Sequence, residues 1–356
     1  MGKMSYNNIL SRNLLSEAIS WMRFPLILMI VLLHCYCSID ANGHQSFFKW
    51  VYPFGLWLGE TGVPAFFFVS GFLFYYSRKT YGQKLKSRSK TLLVPYLFWN
   101  ALLLLIYALL EISGHGMLIA GKSISDYDIV DYARAFIDRG QWDRGNGVPM
   151  LCPYWYIRNL MVLCVLSPII YSGIRYLKWI LLLSLFLWWI IPPYNGMIAS
   201  SLFFFCLGAY FSIRQNTPLI ALREYKFYFF VVWFLVFLID WAHCFWNIPY
   251  ALYVHRVSLV LNVFCLLLVG SYLGNRHYLG RELLDNSTFW VYTIHYPMTI
   301  ALGTVFTMFL KDVADWQLFA FYWCGVLCIT ILCVVSYVVL HRLCPQVLSF
   351  ITGNRS

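Results

Sequence analysis

The sequence predicts an all-α, polytopic integral membrane protein of about ten transmembrane helices, and three observations support this fold class. Of the 356 residues, 61% are hydrophobic and only 12% are charged, whereas a soluble domain carries about 25% charged residues. The apolar residues form runs of about 20, the length that a helix needs to cross a bilayer. The basic residues lie mostly between these runs. Water-soluble and disordered classes of protein are therefore excluded.

Ten apolar runs follow one another along the chain, and each is predicted to form a helix that crosses the membrane. They are residues 19–39, 56–76, 92–112, 154–171, 177–191, 197–213, 227–245, 252–273, 289–310 and 318–340. The fifth and sixth runs are short and flank Pro192 and Pro193, so one broken span is the alternative to two helices there. The first run is too long for the apolar part of a cleavable signal peptide, so we expect it to remain as a helix.

The lysines and arginines set the predicted orientation through the positive-inside rule. With the N-terminus inside, 17 of the 26 lie in inner segments and seven in outer segments. We therefore predict that both termini are cytoplasmic and that the longest loop, about residues 113–153, faces outward, with a short amphipathic helix within 127–138. The net charge of +11 comes from these basic clusters between apolar runs, which the positive-inside rule explains. No nucleic-acid partner is therefore predicted. The cysteines are scattered without paired ligand spacing, so no metal site is predicted.

Ionisable side chains inside the predicted helices indicate function, because burying one in a membrane costs roughly 2.5–3.5 kcal/mol. Arg23 and His34 lie in the first helix. Eleven residues are close to three turns, so both side chains share one face and are about 16 Å apart along the axis. Histidine is the usual general base near neutral pH. The pair predicts a cation at the inner end and a proton acceptor deeper in the bundle. The alternatives are an arginine that reaches lipid phosphate and a structural histidine.

Three charged residues are predicted in the outer half of the membrane. Glu60 begins the second run, Arg158 lies in the fourth, and Asp240 lies near the outer end of the seventh. Opposite charges at similar depth form either a structural ion pair or a substrate contact, and the pattern does not separate the two. His295 lies nearer the middle of the ninth run. His255 and Arg256, at the outer start of the eighth, are interpreted as interface residues.

The loop after the second run carries a basic cluster in which Lys84, Lys86, Arg88 and Lys90 recur at every second residue. One interpretation is an ordinary positive-inside cluster. The other is a site for a polyanionic cytoplasmic ligand such as a nucleotide phosphate. Because Arg23 lies at the same face of the membrane, the second interpretation is favoured.

Six motifs, taken together and in order, resemble the bacterial membrane-bound acyltransferase-3 family. They are RFPLILMIVLLH at residues 23–34, GVPAFFFVSGFL at 62–73, LVPYLFWN at 93–100, YWYIR at 154–158, FFCLGA at 204–209 and YTIHYP at 292–297. The resemblance covers nearly the whole chain. It departs from the family where Arg88 is followed by Thr91 instead of the second arginine of an Arg-x-x-Arg motif. Lysines of the same loop are expected to supply that charge.

The resemblance implies one acyltransferase domain over residues 1–356, without an appended soluble domain, in the bacterial inner membrane and surrounded by its lipids. It implies transfer of an acyl group, usually acetyl, from cytoplasmic acetyl-CoA to a hydroxyl of a surface glycan or lipid-linked sugar. His34 is then the expected catalytic base and His295 the second catalytic candidate. The coenzyme would be held by Arg23, Lys84, Lys86, Arg88 and Lys90. The acceptor site would be shaped by Glu60, Tyr154, Trp155, Arg158 and Asp240.

Two functions from other classes remain open on the sequence. Buried charges also mark the translocation path of a transporter for a small polar solute, which would show solute flux without any dependence on the coenzyme. A membrane scaffold or sensing module would use the same charges only as ion pairs and would tolerate His34→Ala. Phosphate-loop, dinucleotide and serine-hydrolase motifs do not occur in the sequence.

Overall fold

A computed structural model describes residues 6–39, 45–116, 118–119, 121–138, 147–191, 196–215, 218–274, 280–309 and 313–353. Within these ranges the chain is almost entirely helical and contains no strand, apart from one isolated bridge between Ile119 and Lys122. The all-α class predicted from the sequence is confirmed.

Sixteen helices follow one another in the described part of the chain. They are α1 (Tyr6–Ser38), α2 (Gln45–Tyr52), α3 (Gly59–Tyr76), α4 (Tyr81–Arg88), α5 (Val94–Ile112), α6 (Ile129–Ala135), α7 (Trp155–Val165), α8 (Ser167–Leu177), α9 (Trp179–Ile190), α10 (Met197–Arg214), α11 (Leu219–Glu224), α12 (Lys226–Ala242), α13 (Ala251–Leu273), α14 (Arg281–Phe309), α15 (Asp315–Leu343) and α16 (Pro345–Ile351). Two π-helical turns, Pro53–Leu58 and Ser89–Leu93, join α2 to α3 and α4 to α5.

Within the described ranges, six segments are long and apolar enough to cross a bilayer, so the chain is a multi-pass membrane protein. They are Leu14–Ser38, Ser46–Tyr76, Tyr81–Ile112, Met197–Arg214, Ala251–Leu273 and Asp315–Leu343. α7 and α8, bent by 66° at their junction, form a seventh if counted as one span. The other predicted runs are also helical, but α9 has 12 residues and α12 has 17. The count of ten and the cytoplasmic termini stay predictions, and Pro192 and Pro193 lie outside the described residues.

α1 is the central helix and packs against α3, α13, α14 and α15. It runs in the same direction as α14. Arg281, at the start of α14, donates from Nη2 to Oγ of Ser20 at 3.1 Å, and Gly303, near the other end, meets the backbone of Ser38. Residues at equal distances along α1 and α14 therefore lie at equal depths in the bundle.

α3 and α10 cross with their backbones in contact at two glycines. A Cβ on Gly71 would lie 2.1 Å from the carbonyl oxygen of Phe205, and a Cβ on Gly208 would lie 1.9 Å from that of Phe68. Only glycine permits so close an approach. Both glycines belong to stretches singled out in the sequence, and their contact fixes α3 against α10.

The bundle has two chemically different ends. The basic end carries Arg23, Lys84, Arg88 and Arg281, and the acidic end carries Glu60 and Asp240; the loop between α5 and α7 begins at the acidic end, where α5 ends. The short helix predicted in this loop is present as α6. Lys122 Nζ donates to Asp131 Oδ2 at 2.8 Å, and this hydrogen bond lowers the pKa of Asp131 below its ordinary value. Further along, the hydroxyl of Tyr96 donates to the carbonyl oxygen of Phe136, and the backbone N–H of Leu151 donates to Asn100 Oδ1, so the loop folds back against α5.

Candidate active site

A cavity of about 600 Å³ lies at the basic end, with walls from α1, α3, α4, α7 and α14. Four cationic side chains line it: Arg23, Lys79, Lys84 and Arg88. The remaining wall is largely apolar and aromatic, with Ile27, Phe66, Val69, Leu73, Phe289 and Tyr292. A cavity of this volume is typical of a small-molecule site. Cations at one end and apolar walls beyond suit a ligand with a phosphate head and a less polar arm.

The geometry of α4 explains which basic residues reach the cavity. Thr80 and Gln83 form a capping box, in which each side chain accepts a hydrogen bond from the backbone N–H of the other, and this fixes the start of the helix. Lys84 and Arg88 are four residues apart and share a face. Lys84 Nζ also lies 5.0 Å from the ring centroid of Phe74 on the cavity wall, a cation–π contact.

Two of the predicted coenzyme residues lie elsewhere. Lys86 and Lys90 are exposed, and neither is among the residues that line the cavity. Lys90 borders a separate groove at α16, together with Val94 and Phe350. The structure therefore brings Arg23, Lys84 and Arg88 together and leaves Lys86 and Lys90 outside the cavity.

Two histidines lie further along α1 and α14 than the residues that line the cavity. Arg23 on α1 and Asp285 on α14 line its wall, and His34 and His295 follow eleven and ten residues later. The imidazole centroids of His34 and His295 are 5.1 Å apart, with the rings tilted by 48°. We call these two residues the histidine pair. Tyr292, on the cavity wall, has its ring centroid 6.2 Å from that of His295, so the pair lies directly beyond the cavity.

The two members of the histidine pair have different surroundings. His295 is fully buried, and its Nδ1 donates to the carbonyl oxygen of Val291 at 3.0 Å. His34 is half-buried and has the ring of Tyr296 edge-on at 5.3 Å. His34 is therefore the more accessible of the two imidazoles.

Tyr154 and Trp155, predicted to line the acceptor site, lie in different environments. Tyr154 is fully buried between the rings of Tyr96 and Tyr292, at centroid distances of 5.8 and 5.7 Å. Its hydroxyl shares a hydrogen bond with Thr293 Oγ1 at 2.9 Å. Both ring faces are thus covered, which leaves none for a sugar. Trp155 is half-buried, 6.0 Å from the ring of Phe67.

At the acidic end, His255 joins Glu60 to Asp240. His255 Nε2 lies 2.9 Å from Glu60 Oε2, and its Nδ1 lies 2.9 Å from Asp240 Oδ2. Asp240 is fully buried and accepts further hydrogen bonds from the hydroxyls of Tyr52 at 3.1 Å and Ser258 at 3.0 Å. We call Glu60, His255 and Asp240 the acidic-end triad.

The triad places one imidazole between two carboxylates. An imidazole with carboxylates at both nitrogens donates to both when it is protonated, and otherwise accepts from one protonated carboxyl. Asp240 is enclosed by donors, whereas the side chain of Glu60 is 38% exposed. Glu60 is thus the member that a ligand can reach. His255 is the functional candidate that the sequence analysis missed, since a histidine at the start of an apolar run also fits an interface residue.

Arg158 binds the loop between α5 and α7. Its Nη1 donates to the carbonyl oxygens of Ile137 and, at 2.8 Å, Gly147, and its Nε donates to Asn159 Oδ1 at 3.1 Å. Sequence analysis considered ion pairs among Glu60, Arg158 and Asp240. The structure joins the two acids through His255 and places Arg158 on loop carbonyls, where it holds the loop against α7.

Comparison with known proteins adds a family to this geometry. Residues 16–338 match the model of a family described as an acyltransferase domain, acyltransferase-3. The succinoglycan biosynthesis protein ExoH of Rhizobium meliloti (strain 1021) is 25% identical over 366 residues, which cover 96% of this chain and 93% of that protein. No solved structure matches the chain. The matched residues include the whole cavity, the histidine pair and the acidic-end triad. The chain belongs to the acyltransferase-3 family.

Proposed function

We propose that this membrane protein transfers an acyl group, acetyl in the simplest case, from acyl-CoA to a hydroxyl of a surface polysaccharide. The observation that carries the proposal is the basic cavity, whose lining residue Tyr292 is adjacent to the histidine pair. Membership of an acyltransferase family supports the reaction class. Similarity to a protein of succinoglycan biosynthesis supports a polysaccharide, or a lipid-linked precursor of one, as acceptor.

The basic end is the donor side in this proposal, and it faces the cytoplasm, where acyl-CoA is made. Arg23, Lys84 and Arg88 bind the coenzyme phosphates, with Lys79 beside them. Guanidinium groups suit this task because they bind phosphate oxygens in a bidentate manner. The apolar wall accommodates the pantetheine arm, which brings the thioester towards Tyr292 and the histidine pair.

His34 is the general base of the proposed reaction. Its imidazole accepts the proton of the acceptor hydroxyl while the hydroxyl oxygen bonds to the carbonyl carbon of the thioester. The carbon–sulfur bond then breaks, and the imidazolium returns the proton to the leaving thiolate. This sequence consumes no other reactant. The buried His295 supports the reaction through His34, because its ring is adjacent to that of His34.

The acidic end is the acceptor side. The exposed carboxylate of Glu60 accepts hydrogen bonds from sugar hydroxyls, and His255 and Asp240 hold it in place. Trp155 contributes an aromatic surface, and Arg158 holds the loop between α5 and α7 against α7. Tyr154 acts from within the bundle, where it supports Tyr292.

The decisive experiment is mass analysis of surface polysaccharide from cells with the intact gene, without it, and with a His34→Ala copy. We expect the deletion and the variant to lack the mass of one acyl group per modified unit. Membranes supplied with isotopically labelled acetyl-CoA should incorporate the label only with the wild-type protein. An unchanged polysaccharide together with coenzyme-independent solute flux would replace the proposal with a transporter.

A further inference from the structure

His295 has one ring nitrogen with a partner and one without. Nδ1 lies 3.0 Å from the carbonyl oxygen of Val291, and because a carbonyl only accepts, Nδ1 carries the hydrogen. Nε2 of the neutral ring is then a lone-pair acceptor. It is buried, and no described residue donates to it. Proteins seldom leave a buried acceptor unsatisfied, so this atom needs a functional explanation.

A neighbouring group able to supply the missing donor is His34. The hydroxyl of Tyr292 already donates to the carbonyl of Pro153, and that of Thr299 donates to the carbonyl of Tyr296 at 2.8 Å. The His34 ring is 5.1 Å away between centroids. Two imidazoles at this separation share a hydrogen bond once a nitrogen of each points towards the other.

We propose that His295 is a positioning residue that sets the tautomer of His34. Nε2 of His295 accepts a hydrogen bond from one N–H of His34, and the other nitrogen of His34 therefore carries the lone pair that acts as the base. This inference rests on the proposed role of His34. The partner of one imidazole nitrogen determines which nitrogen is protonated. In serine proteases a carboxylate fills this position, and its loss lowers the rate about 10⁴-fold through the wrong tautomer.

A neutral imidazole suits this position better than a carboxylate does. His295 is fully buried among apolar side chains, where a permanent negative charge would be costly. Its Nδ1–H is committed to Val291, so the ring can only accept at Nε2. The carbonyl oxygen of Val291 on α14 thus fixes the tautomer of His295. His295 in turn fixes the tautomer of His34.

The test compares His295→Gln with His295→Phe in purified protein reconstituted in lipid nanodiscs. Glutamine keeps a side-chain acceptor, whereas phenylalanine keeps a ring without one. We expect the glutamine variant to retain turnover within about tenfold, and the phenylalanine variant to lose on the order of 10²-fold or more in kcat. Acetyl-CoA affinity and the acceptor KM should stay unchanged in both.

Thr299→Val is the matched control, because it removes a buried hydroxyl of α14 that bonds only within its own helix. It should leave kcat unchanged. Nitrogen-15 NMR of histidine-labelled protein supplies a second readout: one His34 tautomer in the wild type and a mixture in His295→Phe. Equal loss of activity in both His295 variants, each folded and binding acetyl-CoA, would overturn the inference, as would a fully active phenylalanine variant. Failure of the proposed function is distinct, because the wild-type protein itself would then transfer no acyl group from acetyl-CoA.

Discussion

Tyr154, the last residue of the 3₁₀ turn Cys152–Tyr154 before α7, stacks in parallel on Tyr292 of α14, with ring centroids 5.7 Å apart and planes within 5° of each other. The hydroxyl of Tyr292 also donates to the carbonyl oxygen of Pro153. Tyr292 is thereby held between the cavity that it lines and the histidine pair. Its ring limits the space available where the acyl group would meet His34.

Replacing Tyr292 with alanine should change which acyl chains are accepted. The space vacated by the ring should raise kcat/KM for butyryl-CoA relative to acetyl-CoA by about tenfold or more, since each methylene in a fitted pocket is worth 10–200-fold. Tyr292→Phe keeps the ring and should keep the acetyl preference. Competition between the two donors measures the ratio, and an unchanged ratio in the alanine variant would show that Tyr292 does not limit chain length.

Two pairs of basic residues, on α4 and the π-helical turn after it, should differ in their effect on acetyl-CoA binding. Lys84→Ala with Arg88→Ala removes two cavity-lining charges and should weaken acetyl-CoA binding by about tenfold or more. Lys86→Ala with Lys90→Ala removes the same charge from exposed positions and should change binding less than threefold. The difference should shrink in high salt, because exposed charges are screened within about 8–10 Å. Equal losses from both pairs would indicate a diffuse electrostatic effect without a defined clamp.

His34→Ala should abolish turnover while leaving donor binding intact. General-base assistance is worth about 10²–10⁴-fold in rate, or about 2.7–5.4 kcal/mol of transition-state stabilisation. His34→Asn keeps a polar side chain that cannot accept the proton, so it should fail almost as badly. Arg23→Ala should instead act mainly on acetyl-CoA affinity. Near-normal turnover by a stably expressed His34→Asn protein would make His34 structural.

Glu60→Gln should affect the acceptor and leave the donor unchanged. Glutamine can still bond to His255 but has lost the charge that accepts sugar hydroxyls most strongly. We expect the KM for the acceptor to rise by about tenfold, with acetyl-CoA affinity as in the wild type. Glu111→Gln is the control, because Glu111 is another carboxylate at the acidic end, bonded to Ser123 and Ser125 of the loop. An acceptor KM that moves equally in both variants would remove Glu60 from the acceptor site.

The orientation predicted from the basic residues can be tested with epitope tags. A tag inserted at Gly121, in the loop between α5 and α7, should bind antibody on spheroplasts with intact inner membranes. A tag after Ser356 should bind only after those membranes are permeabilised. The reverse pattern would place the donor cavity outside and would contradict both the orientation and the proposed donor side.

The periodicity of a single helix allows the sequence to predict which residues share a face of that helix. The eleven-residue spacing predicts Arg23 and His34 on one face of one helix. In the structure, Arg23 lines the cavity and His34 belongs to the histidine pair. The spacing of Lys84, Lys86, Arg88 and Lys90 suggested one cluster, but a helix separates residues two apart onto different faces. The sequence alone could not show which of the four residues face the cavity, because that depends on the residue at which α4 begins.

Contacts between helices were beyond the sequence because periodicity gives the face and depth of a residue but not its partner. Glu60, Asp240 and His255 come from three helices, and their meeting depends on how α3, α12 and α13 pack. The same limit applies to Tyr154. The sequence shows an aromatic residue near the start of a helix, which suits a sugar site, but it does not show that the rings of Tyr96 and Tyr292 cover it.

The π-helical turn Pro53–Leu58 has a consequence for how related chains should be aligned. Tyr52 and Glu60 are eight positions apart, and in an unbroken α-helix they would point about 80° apart. The wider turn winds less per residue, so both reach His255. Such a turn is what one inserted residue produces in a regular helix. In a relative one residue shorter here, the two positions would be seven apart, close to two full turns. A one-residue gap in this segment of an alignment therefore indicates a shorter helix in which the side chains at the two positions still point in the same direction.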